Sequence, residues 1–374
     1  MPKLWRFDLQ LSKYHLPNQA SESKQKTIAE YSAYDIPSVE ALVRYMHAAS
    51  GFLVKSTCLR EIKRGNFETW PGLTYSNVSK YCPQEFEKMK GHIVQSSQGV
   101  WSTKNKTTSP LILTGEILKE APGEEELEDI PPPIKTNELH IWDEPISKLH
   151  TYDCGRFPTW LRSGNKYIMI AYHCDSNTIL QVPFSNRKNK HRIRAYSSIV
   201  KRLGYRGHKV EVRILDNEVS AEFKRVIVYN WGTTYQLVPP SVHRRNISEQ
   251  DICSFKAHFL SVVAGVDPDF PKFMWDKLLV QTELTLNLLH QATLNPIISV
   301  WEYLNGPFDY AATPLVPIGC KIIIHTTSNN CKSWDQQGCE GFSVGPALHH
   351  YRCIQFVHRK TKVLLITDMA EFLH

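Results

Sequence analysis

Two carboxylates in this chain stand where phosphoryl-transfer chemistry would want them. Asp216 closes the run Glu211-Val212-Arg213-Ile214-Leu215, which has the look of a strand, and Glu249 follows His243-Arg244-Arg245-Asn246 at the opening of an amphipathic stretch. A strand end and a helix start brought together could place both on one pair of divalent ions. Mg2+ or Mn2+ would suit such hard oxygen ligands, activating one oxygen and stabilising the other in an in-line displacement. Two shared ions require the carboxylates within about 8 Å of each other. Spacing alone leaves other readings open: Asp216-Asn217-Glu218 as a simple turn, and Asn246-x-x-Glu249 as a variant capping box.

Phosphate contacts need cations, and these are clustered. From Ser176 to Val210 there are nine Lys and Arg and no acid: Arg187, Lys188, Lys190, Arg192, Arg194, Lys201, Arg202, Arg206 and Lys209. Such a basic helix beside a strand fits a nucleic-acid backbone, and it fits a solvated helix face as well. His47, Cys58, Cys82 and His92 raise the question of zinc. They contain no CxxC or HxxxH pair, so zinc is not expected there, nor at Cys331 and Cys339.

The chain that must position these groups has 374 residues, 42% apolar and 22% charged, enough for two or three packed domains and incompatible with disorder as the dominant state. Its 44 Lys and Arg against 37 Asp and Glu give a formal charge of +7, and the pI is about 8.8. The longest apolar runs, Tyr167 to Tyr172 and Val363 to Ile366, fall far short of the ~20 residues of a membrane helix. The N-terminus carries charges and aromatics where a secretory signal would be continuously apolar. An intracellular protein without membrane contact is expected, with its nine cysteines reduced.

Between Glu116 and Asp129 the acids Glu116, Glu120, Glu124, Glu125, Glu126, Glu128 and Asp129 precede Pro131, Pro132 and Pro133, the composition of a linker. Before it, helices are expected over Ser38 to Ala49 and Ser56 to Lys63, followed by a turn at Trp70-Pro71-Gly72. After it, Tyr167 to Tyr172 and Thr178 to Val182 read as a hairpin. The stretch from Ile193 to Leu203 reads as a helix, Val210 to Leu215 as a strand, Ala221 to Asn230 as a helix and Tyr235 to Val238 as a strand. Two longer helices, Ser248 to Ala264 and Pro271 to His290, follow. From Thr313 onward, short strand-like pieces at Lys321 to His325, Gly341 to Gly345, Tyr351 to His358 and Lys362 to Thr367 form an all-β tail.

Several strings in order resemble the Pol polyprotein of copia-type LTR retrotransposons: WPGLTY with KGHIVQSSQGVWSTK, then GRFP, NKYIMIAYHCDSN, LDNEVSAEFK, QLVPP with HRRNISEQ, FKAHFLSVVAGVDPDFPKFMWDKLL, TLNLLHQATLNP and WEYLNGPFDYAATPL. GCKIIIH, KSWD, HHYRC and TDMAEF continue the match over nearly the whole chain. The resemblance implies an α/β protein: a pre-integrase-like helical module over 1–110, an acidic Pro-rich linker over 111–147, an RNase H-like integrase core with a mixed sheet flanked by helices over 148–306, and a small β-barrel-like domain over 307–374. It looks like a fragment without the protease and reverse transcriptase of the polyprotein.

Residue by residue, the resemblance puts Asp216 and Glu249 on the second and third catalytic carboxylates, the ligands of two Mg2+ or Mn2+ ions. The first catalytic Asp of a T-D-x-T-G-R-F-P motif is replaced, because the string here is Thr151-Tyr152-Asp153-Cys154-Gly155-Arg156-Phe157-Pro158. Asp153 is the adjacent candidate, yet side chains alternate along a strand, so it reaches the ions only if the register slips by one. Lys256 and the cluster Arg187, Lys188, Arg192 and Arg194 are the expected DNA contacts. Gln250 and Cys253 replace two basic residues of the family and imply a weaker grip on the DNA end. The implied function is binding of element DNA ends in cytoplasm and nucleus, with metal-dependent 3′-end processing and strand transfer if the site is active. The alternative is a catalytically inactive nucleic-acid-binding remnant. Self-association stays open.

Overall fold

The computed structural model describes residues 29–30, 33–83, 86–92, 147–159, 161–215, 220–237, 247–325 and 338–373. The acidic Pro-rich stretch lies outside the described residues. Ala29–Glu30 forms a short strand, β1, followed by α1 (Val39–Ala49), α2 (Lys55–Lys63), α3 (Tyr75–Tyr81) and α4 (Phe86–His92). Ser38 stops the extended chain and its hydroxyl accepts from the Ala41 amide, capping α1. Val43 and Met46 then bury with Cys58, Trp70 and Val78. Periodicity does not reveal α3 or α4, because each is a seven-residue piece with few apolar positions. Thr74 starts α3 by accepting from the Asn77 amide.

The central sheet is mixed. Its strands are β2 (Lys148–Asp153), β3 (Tyr167–His173), β4 (Thr178–Phe184), β5 (Val212–Leu215) and β6 (Thr234–Leu237), in the spatial order β4-β3-β2-β5-β6. The first three run as an antiparallel meander, whereas β2 with β5 and β5 with β6 are parallel. Parallel neighbours need crossovers, and α5 (Asn189–Gly204) and α6 (Ala221–Trp231) supply them. The expected 167–182 hairpin is present, with Asn177 at φ 58 in its turn.

Beyond the sheet lie α7 (Ile247–Ala264), a 3₁₀ segment (Lys272–Leu278), α8 (Leu279–Leu289) and α9 (Val300–Asn305). The single helix expected from Pro271 to His290 is thus divided. Met274, at φ −119 and ψ 21, breaks the α pattern, and the three-residue period of the tighter segment sets Trp275 and Leu278 on one buried edge.

The sheet's two faces feed different cores. On one, Leu149, Met169, Ala171, Leu180 and Leu215 pack against Tyr196 and Leu203 of α5 and Phe223 of α6. On the other, Ile168, Ile170, Tyr172 and Ile179 meet Phe255 and Phe259 of α7, and that core runs on into α1, α2 and α3 and into a second sheet.

The second sheet holds β7 (Lys321–His325), β8 (Gly338–Pro346), β9 (Ile354–His358), β10 (Leu364–Thr367) and β11 (Ala370–Leu373). Its order is β1-β11-β7-β8-β9-β10, antiparallel throughout. The tail therefore does not complete this sheet alone: Ala29 and Glu30 pair with Leu373 and Phe372. The mixed α/β core between a helical segment and an all-β sheet matches the fold class expected from the sequence. No helix among the described residues is long and apolar enough to cross a membrane.

Two contacts weld the segments. Gln281 on α8, fully buried, donates from its amide nitrogen to Ala49 O at 2.8 Å and Val316 O at 2.9 Å. Gly91 of α4 approaches α7 so closely that a β-carbon there would stand 2.5 Å from Ala257 O, so only glycine admits this crossing. A third arrangement closes the outer edge of β4. Asn287 of α8 accepts from Ile179 N at 3.1 Å and donates to Ile179 O at 2.9 Å, as a neighbouring strand would. Two residues along, Glu283 accepts from Gln181 N at 3.1 Å and Arg202 donates to Gln181 O at 3.3 Å. The four-residue step on the helix matches the two-residue step on the strand.

Candidate nucleic-acid interface

Strand β2 decides which side chains share a site. It is paired on both sides, with Tyr152 opposite Ile170 and Asp153 opposite Met169 on β3, and His150 beside Ile214 on β5. Pairing on both sides fixes the register, and alternation then splits the strand. Leu149, Thr151 and Asp153 take the α5/α6 face; Tyr152, and beyond the strand end Cys154, take the α7 face.

Asp153 accordingly does not point toward α7. Its Oδ2 lies 2.5 Å from Arg192 Nε of α5, an ion contact in which the N–H is not aligned as a hydrogen bond. Behind it sits Arg213, a fully buried guanidinium that sequence reasoning missed. Its carbon is 3.8 Å from the Tyr196 ring centroid and 4.2 Å from that of Phe223, and its NH2 donates to Thr151 Oγ1 at 2.7 Å. Burial pushes its pKa down to about 10, against the pull of Tyr196 and Asp153. The signal in the sequence was a lone arginine inside the apolar run Val212-Arg213-Ile214-Leu215.

On the other face Tyr152 is 41% exposed, and Lys256 of α7 holds its ammonium 4.8 Å from the centroid of the Tyr152 ring. Ile252, Phe255 and Phe259 bury the inner side of α7 and so turn Lys256 toward the end of β2, while Cys253 is exposed. From across the sheet, Arg187 lays its guanidinium 5.1 Å from the Tyr167 ring centroid and reaches Cys154 O at 3.4 Å. The Cys154 thiol lies within the field of both cations. Burial nevertheless pushes it up to about 11, outweighing the lowering effects of Lys256 and Arg187. Lys188, just before α5, and Arg194 on it are exposed, whereas Arg192 is engaged by Asp153. Of the expected cations, Arg187, Lys256 and Arg192 are thus brought to the end of β2, with Lys256 on the α7 face and Arg192 on the α5 face.

Glu249 lies in the first turn of α7, and its side chain, like that of Gln250, is outside the described residues. Asp216 lies outside them too, so the expected approach of the two carboxylates within about 8 Å concerns residues that are not described. At this end of the described face the Tyr152 ring and the Lys256 ammonium lie together, and no group of three metal-ligating side chains occurs among the described residues. In the first module, His47 Nε2 is bonded to Leu53 O at 2.7 Å, and burial pushes the Cys58 thiol up to about 12.

The far end of β2 carries a polar network that sequence reasoning did not single out. Ser147 Oγ and Ser176 Oγ lie 2.8 and 2.7 Å from the two ring nitrogens of His173. Burial, aided by nearby His208, lowers the His173 pKa to about 4.

No family model matches the chain, and no curated protein matches it. Among solved structures it is similar to a chain of the simian T-cell lymphotropic virus intasome in complex with PP2A regulatory subunit B56 gamma. The identity is 13% and the TM-score 0.32, over 61% of this chain and 81% of that chain. A likeness at that level decides nothing about function, and the fold stands on the strand order described above.

Proposed function

We propose that this chain is the integrase region of a copia-type retrotransposon Pol polyprotein, with an RNase H-like core, and that it binds the element's DNA ends without efficiently processing them. The ordered motif strings support the family. The five-stranded mixed sheet, with α7 carrying Glu249 in its first turn, is compatible with such a core. Arg187 and Lys256 at the end of β2, with Lys188 and Arg194 exposed in the α5 region, support a phosphate-backbone partner. The division at residues 110, 147 and 306 belongs to the same reading, as does a nuclear place of action.

The observation that carries the binding-only reading is the placement of Tyr152. It occupies the α7 face in the family's first carboxylate position, while Asp153 is held on the opposite face by Arg192. Asp216 and Glu249 remain the carboxylates this reading assigns to Mg2+ or Mn2+, one ligand short. The test is end trimming of a labelled duplex carrying the element's terminus, in Mg2+ and in Mn2+, alongside binding at several salt concentrations. Salt-sensitive binding with little or no trimming, and partial trimming by Tyr152→Asp, is expected. Robust trimming by the unmodified chain would sink the binding-only reading, and absence of salt-sensitive binding would sink the DNA partner.

A further inference from the structure

We propose that the end of β2 is a metal-independent site for a DNA end, in which an unpaired terminal base stacks on Tyr152 and the phosphate next to it is held by Lys256. This rests on the reading of the chain as a DNA-binding protein and specifies what that face would recognise.

Tyr152 stands out among its neighbours. On the same face Ile170, Cys154 and Phe255 are buried, yet Tyr152 keeps 41% of its surface in solvent at the point where β2 runs out. An aromatic ring left half-open at a strand end offers a stacking surface, and stacking suits bases freed from a duplex because every base has a π-face. The cation beside it supplies the second element. Lys256 is held 4.8 Å from the ring centroid by a helix whose inner side is locked into the core, so ring and ammonium form one unit. Arg187 adds a second positive charge at the same strand end through Cys154 O.

The charge balance points the same way. Among the described residues, the adjacent carboxylate Asp153 is on the opposite face and paired with Arg192, so it does not offset Lys256. A cation beside an open ring attracts a phosphate with its base, and neither contact requires a divalent ion. Stacking also selects ends: a base inside a continuous duplex is covered on both sides by its neighbours, whereas a terminal or single-stranded base is free.

The test is fluorescence anisotropy of the full chain with three labelled DNAs in EDTA: a single strand, a blunt linear duplex and a covalently closed dumbbell with no free end. Tyr152→Leu keeps bulk without aromaticity, and Tyr152→Phe keeps the ring, so a comparison of the two removes any effect of altered packing. Tyr152→Phe should bind like the wild type. Tyr152→Leu should bind the single strand and the blunt duplex about tenfold more weakly, with the dumbbell nearly unaffected. Lys256→Gln should lower the salt slope by roughly 0.9 on the substrates with ends. Wild-type binding that is equally strong in Tyr152→Leu would overturn this site while leaving the DNA-binding reading intact. Binding that appears only when Mg2+ replaces EDTA would overturn its metal independence, and a wild type that binds none of the three DNAs with or without Mg2+ would overturn both.

Discussion

Asp153 Oδ2 lies 2.5 Å from Arg192 Nε, so the carboxylate next to Tyr152 in sequence is turned toward α5 and away from α7. A site read from one dimension would have had two adjacent candidates for one role. The sheet separates them by its thickness, and Thr151, bonded to buried Arg213, anchors the strand in that register.

Asp153→Asn should release Arg192 for contact with DNA. The side chains are only 26% and 15% exposed, and Asp153 also faces buried Arg213, so a stability loss of about 3 kcal/mol is expected. The salt slope of DNA binding should steepen by up to roughly 0.9, one phosphate contact, with end trimming unchanged. Titrations at several salt concentrations check this; weaker binding would show that the carboxylate serves the DNA site.

Lys188, just before α5, and Arg194 on it are exposed. Replacing both with Ala should make the salt slope shallower by roughly 1.8, two contacts at 0.9 each, without a change in melting temperature. A slope that does not move would assign these cations to a solvated helix face.

His173 carries the clearest pH dependence. Its pKa falls from the ordinary 6.5 to about 4 in the folded chain, so between those values the unfolded state binds more protons. Stability is therefore complete above pH 6.5 and is lost as pH falls toward 4, by up to about 1.4 kcal/mol per pH unit. Urea unfolding at pH 7 and pH 5 should show that loss, and His173→Gln should reduce it. An equal loss in the variant would place the acid sensitivity elsewhere, His290 being the next candidate because burial lowers it to about 4 as well.

Asn287→Leu removes both partners of the Ile179 backbone, which is fully buried. Two unmade hydrogen bonds in the interior should cost about 2–5 kcal/mol, read as a lower urea midpoint. Asn287→Asp keeps the acceptor and loses the donor, and should fall between the two.

Much of this arrangement was legible in the sequence because its signals are local. The Ile252, Phe255, Phe259 and Val262 stripe marks α7, and all four side chains are buried. Alternation placed Tyr152 and Asp153 on opposite faces. What was not legible depends on long-range pairing. Nothing near Ala29 announces that it completes a sheet with Leu373. Arg213 looks like a surface charge until Tyr196 and Phe223, from two different helices, close around it. The break at Met274 reflects packing of Trp275 and Leu278, which a helical wheel of the same residues does not show.

The closure of β4 by Asn287, Glu283 and Arg202 leaves the central sheet with a valence of one. Among the described residues β6 has no outer neighbour and all four of its residues are exposed, so strand addition to this sheet can occur on that side alone. A sheet with two open margins can grow at both, whereas a sheet with one can take a single partner strand. Edge pairing through the β6 margin alone would therefore stop at two copies and would not propagate as a fibre. Loss of the α8 side chains along β4 would turn a chain terminator into a monomer for growth.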